Sequence, residues 1–165
     1  MRTEKELYQW LKERLNACSI DTMRIESNST SVGIPDVFAQ GRGDDLWIEL
    51  KVDLIPMEQA MRQGVKLAWR PGQKAWALRY YNTHYRMSVA AGGVSKRHKC
   101  SWVVVLLADG VGLIRMTDKK CVDDDNNIIP DTFLPLDSTA GALCSYLHGS
   151  VYEYKFERDE LGAVR

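Results

Sequence analysis

Gly33-Ile34-Pro35-Asp36-Val37, and after it Trp47-Ile48-Glu49-Leu50-Lys51-Val52, decide how this chain reads. Pro35 holds Ile34 extended, so Asp36 stands at the start of an apolar run reading as a strand to Gln40. Gly41 to Asp45 is rich in turn formers and reads as a hairpin loop. Leu46 to Val52 is the next strand. Residues two apart on a strand share a face. Glu49 and Lys51 therefore share one face, and Ile48 and Leu50 the other. Opposite charges at the centre of an apolar strand do not help it fold. Two carboxylates and an ammonium converging from adjacent strands suit a divalent cation and a phosphate.

The rest of the chain can be placed around this pair. Residues 3–17 read as a helix opened by a Thr3/Glu6 capping box. Leu7, Leu11, Leu15 and Cys18, with Tyr8 beside them, form an apolar stripe at helical spacing. Glu4 falls in the middle of that stripe and is expected to point inward. Helix-dipole stabilisation and metal ligation both account for such a carboxylate. Met23-Arg24-Ile25 reads as a short strand. Pro56 opens a helix expected to reach about Trp69, weakened by Gly64. Pro71 restarts helical pattern, with Asn82 as its stop and a strand over Arg86–Ala91. Trp102–Leu107 is the most apolar run, as in a buried central strand. Asp109-Gly110 signals a hairpin into Val111–Met116. The Asp123-Asp124-Asp125-Asn126-Asn127 run lacks the Gly and terminal Glu of a calcium loop and reads as a solvated loop. Asp137 or Ser138 is positioned to cap a short helix to His148, and the tail from Ser150 is charged.

Composition narrows the class. The 165 residues suit a single domain, with a core over about 3–116 and a C-terminal extension over 117–165. Charged residues are 27% and hydrophobic ones 45%, as in an ordinary globular chain. No apolar run approaches the roughly 20 residues of a membrane span, and residues 1–6 lack a signal-peptide core. A cytoplasmic protein is expected. Four scattered cysteines, without a CxxC, argue against zinc and for buried thiols.

Net charge is zero, but its distribution is uneven. From Gln59 to Ala108 there is no Asp or Glu, whereas nine Lys and Arg fall there; all 22 acids lie outside. A basic middle is what a DNA-facing surface on a neutral protein gives, and equally what a solvated surface gives. The DNA-facing candidates are Arg70, Lys74, Lys96, Arg97 and Lys99. Trp69, Trp76, Tyr80, Tyr81 and Tyr85 recur at helical spacing and read as core rather than as a base-stacking platform.

Asp36, twelve residues, then Glu49-x-Lys51, with a helical Glu4 upstream, resembles the PD-(D/E)xK nucleases. The Gly-x-Pro-Asp start and Arg70-Pro71-Gly72-Gln73-Lys74-Ala75-Trp76 are most similar to the virus-type replication-repair nuclease (VRR-Nuc) branch. Thr3-Glu4-Lys5-Glu6-Leu7 is similar to the first helix of archaeal Holliday-junction resolvases. The resemblance covers about residues 3 to 115. It implies an α/β restriction-endonuclease-like core, a central mixed sheet flanked by helices. It implies an endonuclease using Mg2+, with Mn2+ able to substitute, on branched or duplex DNA. Its metal ligands would be Glu4, Asp36, Glu49 and the Leu50 carbonyl, with Lys51 and Gln73 completing the catalytic set. Gln59 and Gln63 are rivals for the glutamine role. A structure-selective, resolvase-like activity would favour a homodimer on a two-fold junction. A nickase, an end-processing or restriction-like nuclease, and a non-catalytic DNA-binding module are the alternatives.

Overall fold

Thr3 opens the first helix as its composition predicts. Its Oγ1 accepts the Glu6 N–H at 3.2 Å and its own N–H donates to Glu6 Oε2 at 3.1 Å. Bonds from the Arg2 and Thr3 backbone hold the Glu6 carboxyl below its ordinary pKa. Helix α1 runs over Glu4–Ala17 and buries Leu7, Trp10, Leu11 and Leu15. Each fully buried leucine contributes roughly 1.5–3 kcal/mol over an exposed one. Trp10 Nε1 and Arg14 Nη2 both donate to the Leu136 carbonyl, tying the helix to the far end of the chain.

This computed structural model describes residues 1–25, 33–41, 44–90, 99–123 and 126–147. The strands are β1 (Asp21–Arg24), β2 (Val37–Gly41), β3 (Asp44–Val52), β4 (Val65–Lys66), β5 (Trp102–Leu106), β6 (Gly110–Arg115), β7 (Asn127–Ile128) and β8 (Thr132–Pro135). Six of them form one sheet in the order β1-β2-β3-β5-β6-β8. The β3–β5 pair is parallel and the other pairs are antiparallel. The α/β class with a mixed central sheet flanked by helices is therefore the one the sequence led us to expect.

The two faces of the sheet carry separate cores. Ile48, Leu50, Val104 and Leu106 pack with α1 and with Leu143, Cys144 and Leu147 of a helix over residues 140–147. Val103, Val105 and Ile114 pack on the opposite face with Ala60, Ala77 and Cys121. Those three come from α2 (Met57–Gln63), α3 (Gln73–Ala90) and α4 (Asp118–Val122). Strand β5, covered on both faces, is buried at every residue.

Four sequence expectations need correction. Helix α2 stops at Gln63 rather than near Trp69, because Gly64 turns the chain at φ +78° and Val65–Lys66 pair with β7. Helix α3 passes through Asn82 to Ala90, so no strand forms over 86–90. Neither proline nor glycine interrupts it, and Trp76, Tyr80 and His84 keep one helical face in ring contact. The core does not stop at 116: among the described residues, β8 covers the β6 edge and a helix over residues 140–147 packs into it. That helix is capped by Thr139, whose Oγ1 accepts the Ala142 N–H, rather than by Asp137 or Ser138.

Cys18, Cys100, Cys121 and Cys144 are all buried and outside any disulfide, and burial pushes Cys121 up to about 12. A thiol so protonated is no nucleophile at neutral pH. No helix among the described residues is long and apolar enough to cross a membrane.

Candidate active site

The end of β2 positions the first carboxylate. Pairing of β2 with β3 begins at Val37↔Ile48, so Leu50 lies beyond the first β2 residue. Asp36 takes up the ladder with its side chain, and Oδ2 accepts the Leu50 N–H at 3.0 Å. A strand residue's N–H and C=O leave on the same side. The Leu50 carbonyl thus faces the gap that Asp36 occupies, while the Leu50 side chain is fully buried in the other core.

On the α2/α3 face, Glu49 and Lys51 stand over β5 opposite Val103 and Val105. Asp36, Glu49, Lys51 and Gln73 are all buried, at 8%, 4%, 6% and 4% exposure. Polar side chains this dry call for partners: Glu49, Lys51 and Gln73 bond to one another, and Asp36 accepts from the Leu50 N–H and from Arg70. Lys51 Nζ donates to Glu49 Oε1 at 2.8 Å and to Gln73 Oε1 at 3.1 Å. Gln73 Nε2 donates to Glu49 Oε1 at 2.5 Å, and Gln73 Oε1 also accepts the Arg70 N–H at 2.8 Å. Gln73 therefore locks the lysine and the glutamate in one orientation. Gln59 and Gln63 are exposed on α2, so the glutamine that reaches the cluster is Gln73.

Two glycines bring the halves of the cluster together. Gly33 (φ +84°) and Gly72 (φ +83°) both use the left-handed region. A Cβ on Gly33 would lie 2.4 Å from the Gly72 carbonyl oxygen. The backbone three residues before Asp36 therefore touches the backbone one residue before Gln73, an approach only glycine permits.

Charge is unevenly shared across the site. Glu49 Oε1 receives Lys51, Gln73 and a 3.5 Å contact from Arg70 Nη2. Its other oxygen, Oε2, is buried with no hydrogen-bond partner, as is the nearby Trp69 Nε1. Both residues line one small cleft with Gly33, Pro35 and Gln73. Burial first, and then the charge of Asp36, raise the Glu49 pKa to about 7 against the opposing pull of Lys51. The Trp69 ring has two ammonium groups near it, Lys51 Nζ at 5.8 Å and Lys74 Nζ at 5.6 Å from its centroid. The sequence reading left Trp69 out of the site; its position directly before Arg70-Pro71-Gly72 was the available signal.

The orphaned Glu49 Oε2, the Asp36 carboxylate beside it and the Leu50 carbonyl form an all-oxygen donor set. That set fits a hard divalent cation such as Mg2+. Glu4 does not join it. The side chain is exposed, and among the described residues no three His, Cys, Asp or Glu side chains are grouped to hold a metal. The expectation of an inward Glu4 fails for two reasons. Burial along α1 starts one turn later, at Leu7, and α1 packs on the sheet face opposite to Glu49 and Lys51.

The DNA-facing candidates scatter. Arg70 is held at the site by Asp36, at 2.6 Å. Lys74 donates to the Asp123 carbonyl at 2.6 Å. Lys99 pairs with Asp45, which also accepts from Tyr80 Oη. Lys96 and Arg97 lie outside the described residues. A block free of acids in sequence is thus not free of them in space. Phe38, Trp47, Trp76, Tyr80 and His84 form a chain of ring contacts with centroids 4.5–5.3 Å apart, clamping α3 onto β2 and β3. Packing explains Trp76 and Tyr80 as read from the sequence, whereas Tyr85 is exposed and Trp69 lines the cleft.

The Glu49 shift carries a pH prediction. A carboxyl raised from 4.5 in the unfolded chain to about 7 in the fold favours the folded state fully below pH 4.5. That contribution is lost as pH rises through 7. A cation needs the ionised form, so its binding expels the proton. The rise in Tm on adding Mg2+ should be small near about pH 5.5 and grow to a plateau above about pH 7.5. A Mg2+-induced shift that is flat across this range in thermal melts would contradict Glu49 as a ligand.

No protein-family profile and no curated protein matches the chain. Among solved structures it is similar to the 1.6 Å structure of Hjc, a Holliday junction resolvase from the archaeal hyperthermophile Archaeoglobus fulgidus. That likeness has a TM-score of 0.39 at 13% identity, over 68% of this chain and 76% of that one.

Proposed function

We propose that this protein is a divalent-metal-dependent DNA endonuclease of the PD-(D/E)xK type, structure-selective and resolvase-like in its choice of DNA. The observation that carries the reading is the buried Asp36–Glu49–Lys51–Gln73 cluster with one glutamate oxygen left unpartnered. A fold gains nothing by burying an unsatisfied carboxylate oxygen beside a second carboxylate. A ligand that takes up that oxygen accounts for it.

Asp36, Glu49 and the Leu50 carbonyl would hold Mg2+ or Mn2+, which supplies charge relief at phosphorus and a more acidic water. The remaining steps belong to the protein's side chains. Lys51, held between Glu49 and Gln73, presents an ammonium to the scissile phosphate or to the attacking water. Gln73 fixes the direction of that ammonium by accepting from it. Arg70, on the rim, supplies a planar fork suited to a phosphate. Trp69 walls the cleft and shields Lys51 from bulk water, which strengthens each charge interaction within it.

Incubation of a four-way junction and a matched linear duplex with the protein and Mg2+ tests the reading. Preferential cutting of the junction, lost on chelation, is expected, and a homodimer in solution would match the two-fold substrate. Cutting at one sequence or at free ends would select a restriction-like, nicking or end-processing nuclease instead. Salt-sensitive binding with no product in either Mg2+ or Mn2+ would select a DNA-binding module.

A further inference from the structure

Packing accounts for the Trp69 ring but not for its N–H. The ring is half-buried against the core of the α2/α3 face. Its Nε1 is buried without a hydrogen-bond partner, and an indole nitrogen can only donate. Glu49 Oε2, an acceptor when ionised, is the second unbonded atom, and both residues line the same small cleft. Glu49 is itself only 4% exposed. A buried polar atom left unbonded costs stability. Here two of opposite sense are left over in one cleft and do not bond to each other.

The chain on either side of Trp69 is tied down. The Leu67 N–H donates to the Asn126 carbonyl at 3.0 Å, and the Arg70 N–H to Gln73 Oε1 at 2.8 Å. Lys51 Nζ lies 5.8 Å from the ring centroid. Lys74 Nζ lies 5.6 Å from it and is anchored in turn on the Asp123 carbonyl. The indole is thus held beside the ammonium of the site as a preset donor that lacks an acceptor. An anionic oxygen beside a cation answers both leftover atoms. Glu49 Oε2 would hold the cation, and Trp69 Nε1 would donate to the anion.

We infer that Trp69 is a phosphate-binding residue of this site, whose Nε1–H donates to a non-bridging oxygen of the scissile phosphodiester and sets its orientation toward Lys51. The inference rests on the metal-dependent nuclease reading above. Lys51 supplies charge to the phosphate. The neutral indole adds direction without adding to the repulsion between that ammonium and a bound cation.

Indole N–H spectra of the full chain, labelled with 15N at tryptophan, read the contact apart from cleavage. The signal missing from Trp69→Phe or Trp69→Leu identifies Trp69 among the five tryptophans. Dimethyl phosphate added with Mg2+ is expected to move that signal downfield, further than the other indole signals and further than Mg2+ alone moves it. Trp69→Phe keeps an aromatic ring beside Lys51 and deletes the donor. Its single-turnover cleavage should fall about 10- to 100-fold. Its Tm should stay close to that of the parent, since an unbonded donor is removed along with some packing. A non-bridging sulfur at the scissile phosphate is a poor acceptor. In Mn2+, which tolerates sulfur as a ligand, one diastereomer should still slow the parent about 10-fold and Trp69→Phe less than about twofold. A tryptophan that only packs would lower the Tm when replaced and leave the sulfur penalty unchanged. An unmoved indole signal with equal sulfur penalties in both proteins, while the parent still cuts DNA, overturns the donor and leaves the nuclease standing. A moved signal without cleavage in Mg2+ or Mn2+ keeps the donor in a phosphodiester-binding site and overturns the nuclease. Neither a moved signal nor cleavage overturns both.

Discussion

Glu49→Gln is expected to lower metal-dependent DNA cleavage by roughly 10³-fold, equivalent to about 4 kcal/mol of transition-state stabilisation. The substitution keeps the size of the side chain and one carbonyl oxygen for Lys51 and Gln73 to donate to. It removes the charge by which Glu49 is proposed to attract the cation. Two further readouts should change with it. The Tm gain on adding Mg2+ should vanish, and the stability slope between pH 4.5 and about 7 should flatten, since Glu49 is the group whose proton creates it. Cleavage within tenfold of the parent, measured with single-turnover kinetics on the preferred DNA, would remove Glu49 from the chemistry. Loss of cleavage with an unchanged Mg2+-dependent melt would leave Glu49 in the reaction and take it out of the metal site.

The largest structural effect should come from Gly33→Ala. An alanine at φ +84° costs about 1–2 kcal/mol in backbone strain. The added Cβ would also stand 2.4 Å from the Gly72 oxygen, a separation no relaxed contact reaches. Relief requires the Gly33–Asp36 backbone to back away from Gly72–Gln73. Together these terms come to about 3 kcal/mol or more, or a Tm fall of about 6–12 °C for a chain of this size. The same movement separates Asp36 from the Glu49–Gln73 pair, so cleavage should fall by about 10²-fold even where the protein remains folded. Gly64→Ala is the informative comparison. Gly64 also sits at positive φ, +78°, with Ile128 backbone 3.0 Å from an added Cβ, but it belongs to the α2–β4 junction rather than to the site. It should lose stability and keep its rate constant. Equal losses of rate in the two variants would mean that Gly33 acts through global stability alone.

Local chemistry made much of this protein legible from its residues. Thr3 and Glu6 declare a helix start because capping is settled within four residues. Trp102–Leu107 declares a central strand because a strand buried on both faces has no polar side to show. Asp36, Glu49 and Lys51 declare a site because period two forces the last two onto one face. A proline before the aspartate sets that residue at a strand entry. Gln73 was separable from Gln59 and Gln63 by its Pro-Gly context, and its burial agrees with that choice.

What the chain could not declare locally depends on elements far apart in sequence. The angular position of Glu4 on its helix was readable, but which sheet face α1 packs on was not. That face is the one opposite the carboxylates, so a residue on the apolar stripe ends up exposed and apart from them. The basic block looked unopposed, yet Arg70 meets Asp36 and Glu49, and Lys99 meets Asp45, because strands β2 and β3 bring acids to it. The passage of α3 through Asn82 had no strong local signal, since side-chain propensity is weak there; it shows in the ring contacts that join Trp76, Tyr80 and His84 along one helical face. The membership of β8 in the main sheet depended on β6 having an edge to cover. Residue identity and spacing thus determined that this protein carries two carboxylates, a lysine and a glutamine fit for one site. Only the tertiary structure decided that Glu4 stands outside it, that Arg70 closes it and that one oxygen of Glu49 is left without a partner. Helix side, sheet edge and charge pairing are all contacts between distant segments, and no window of sequence contains them.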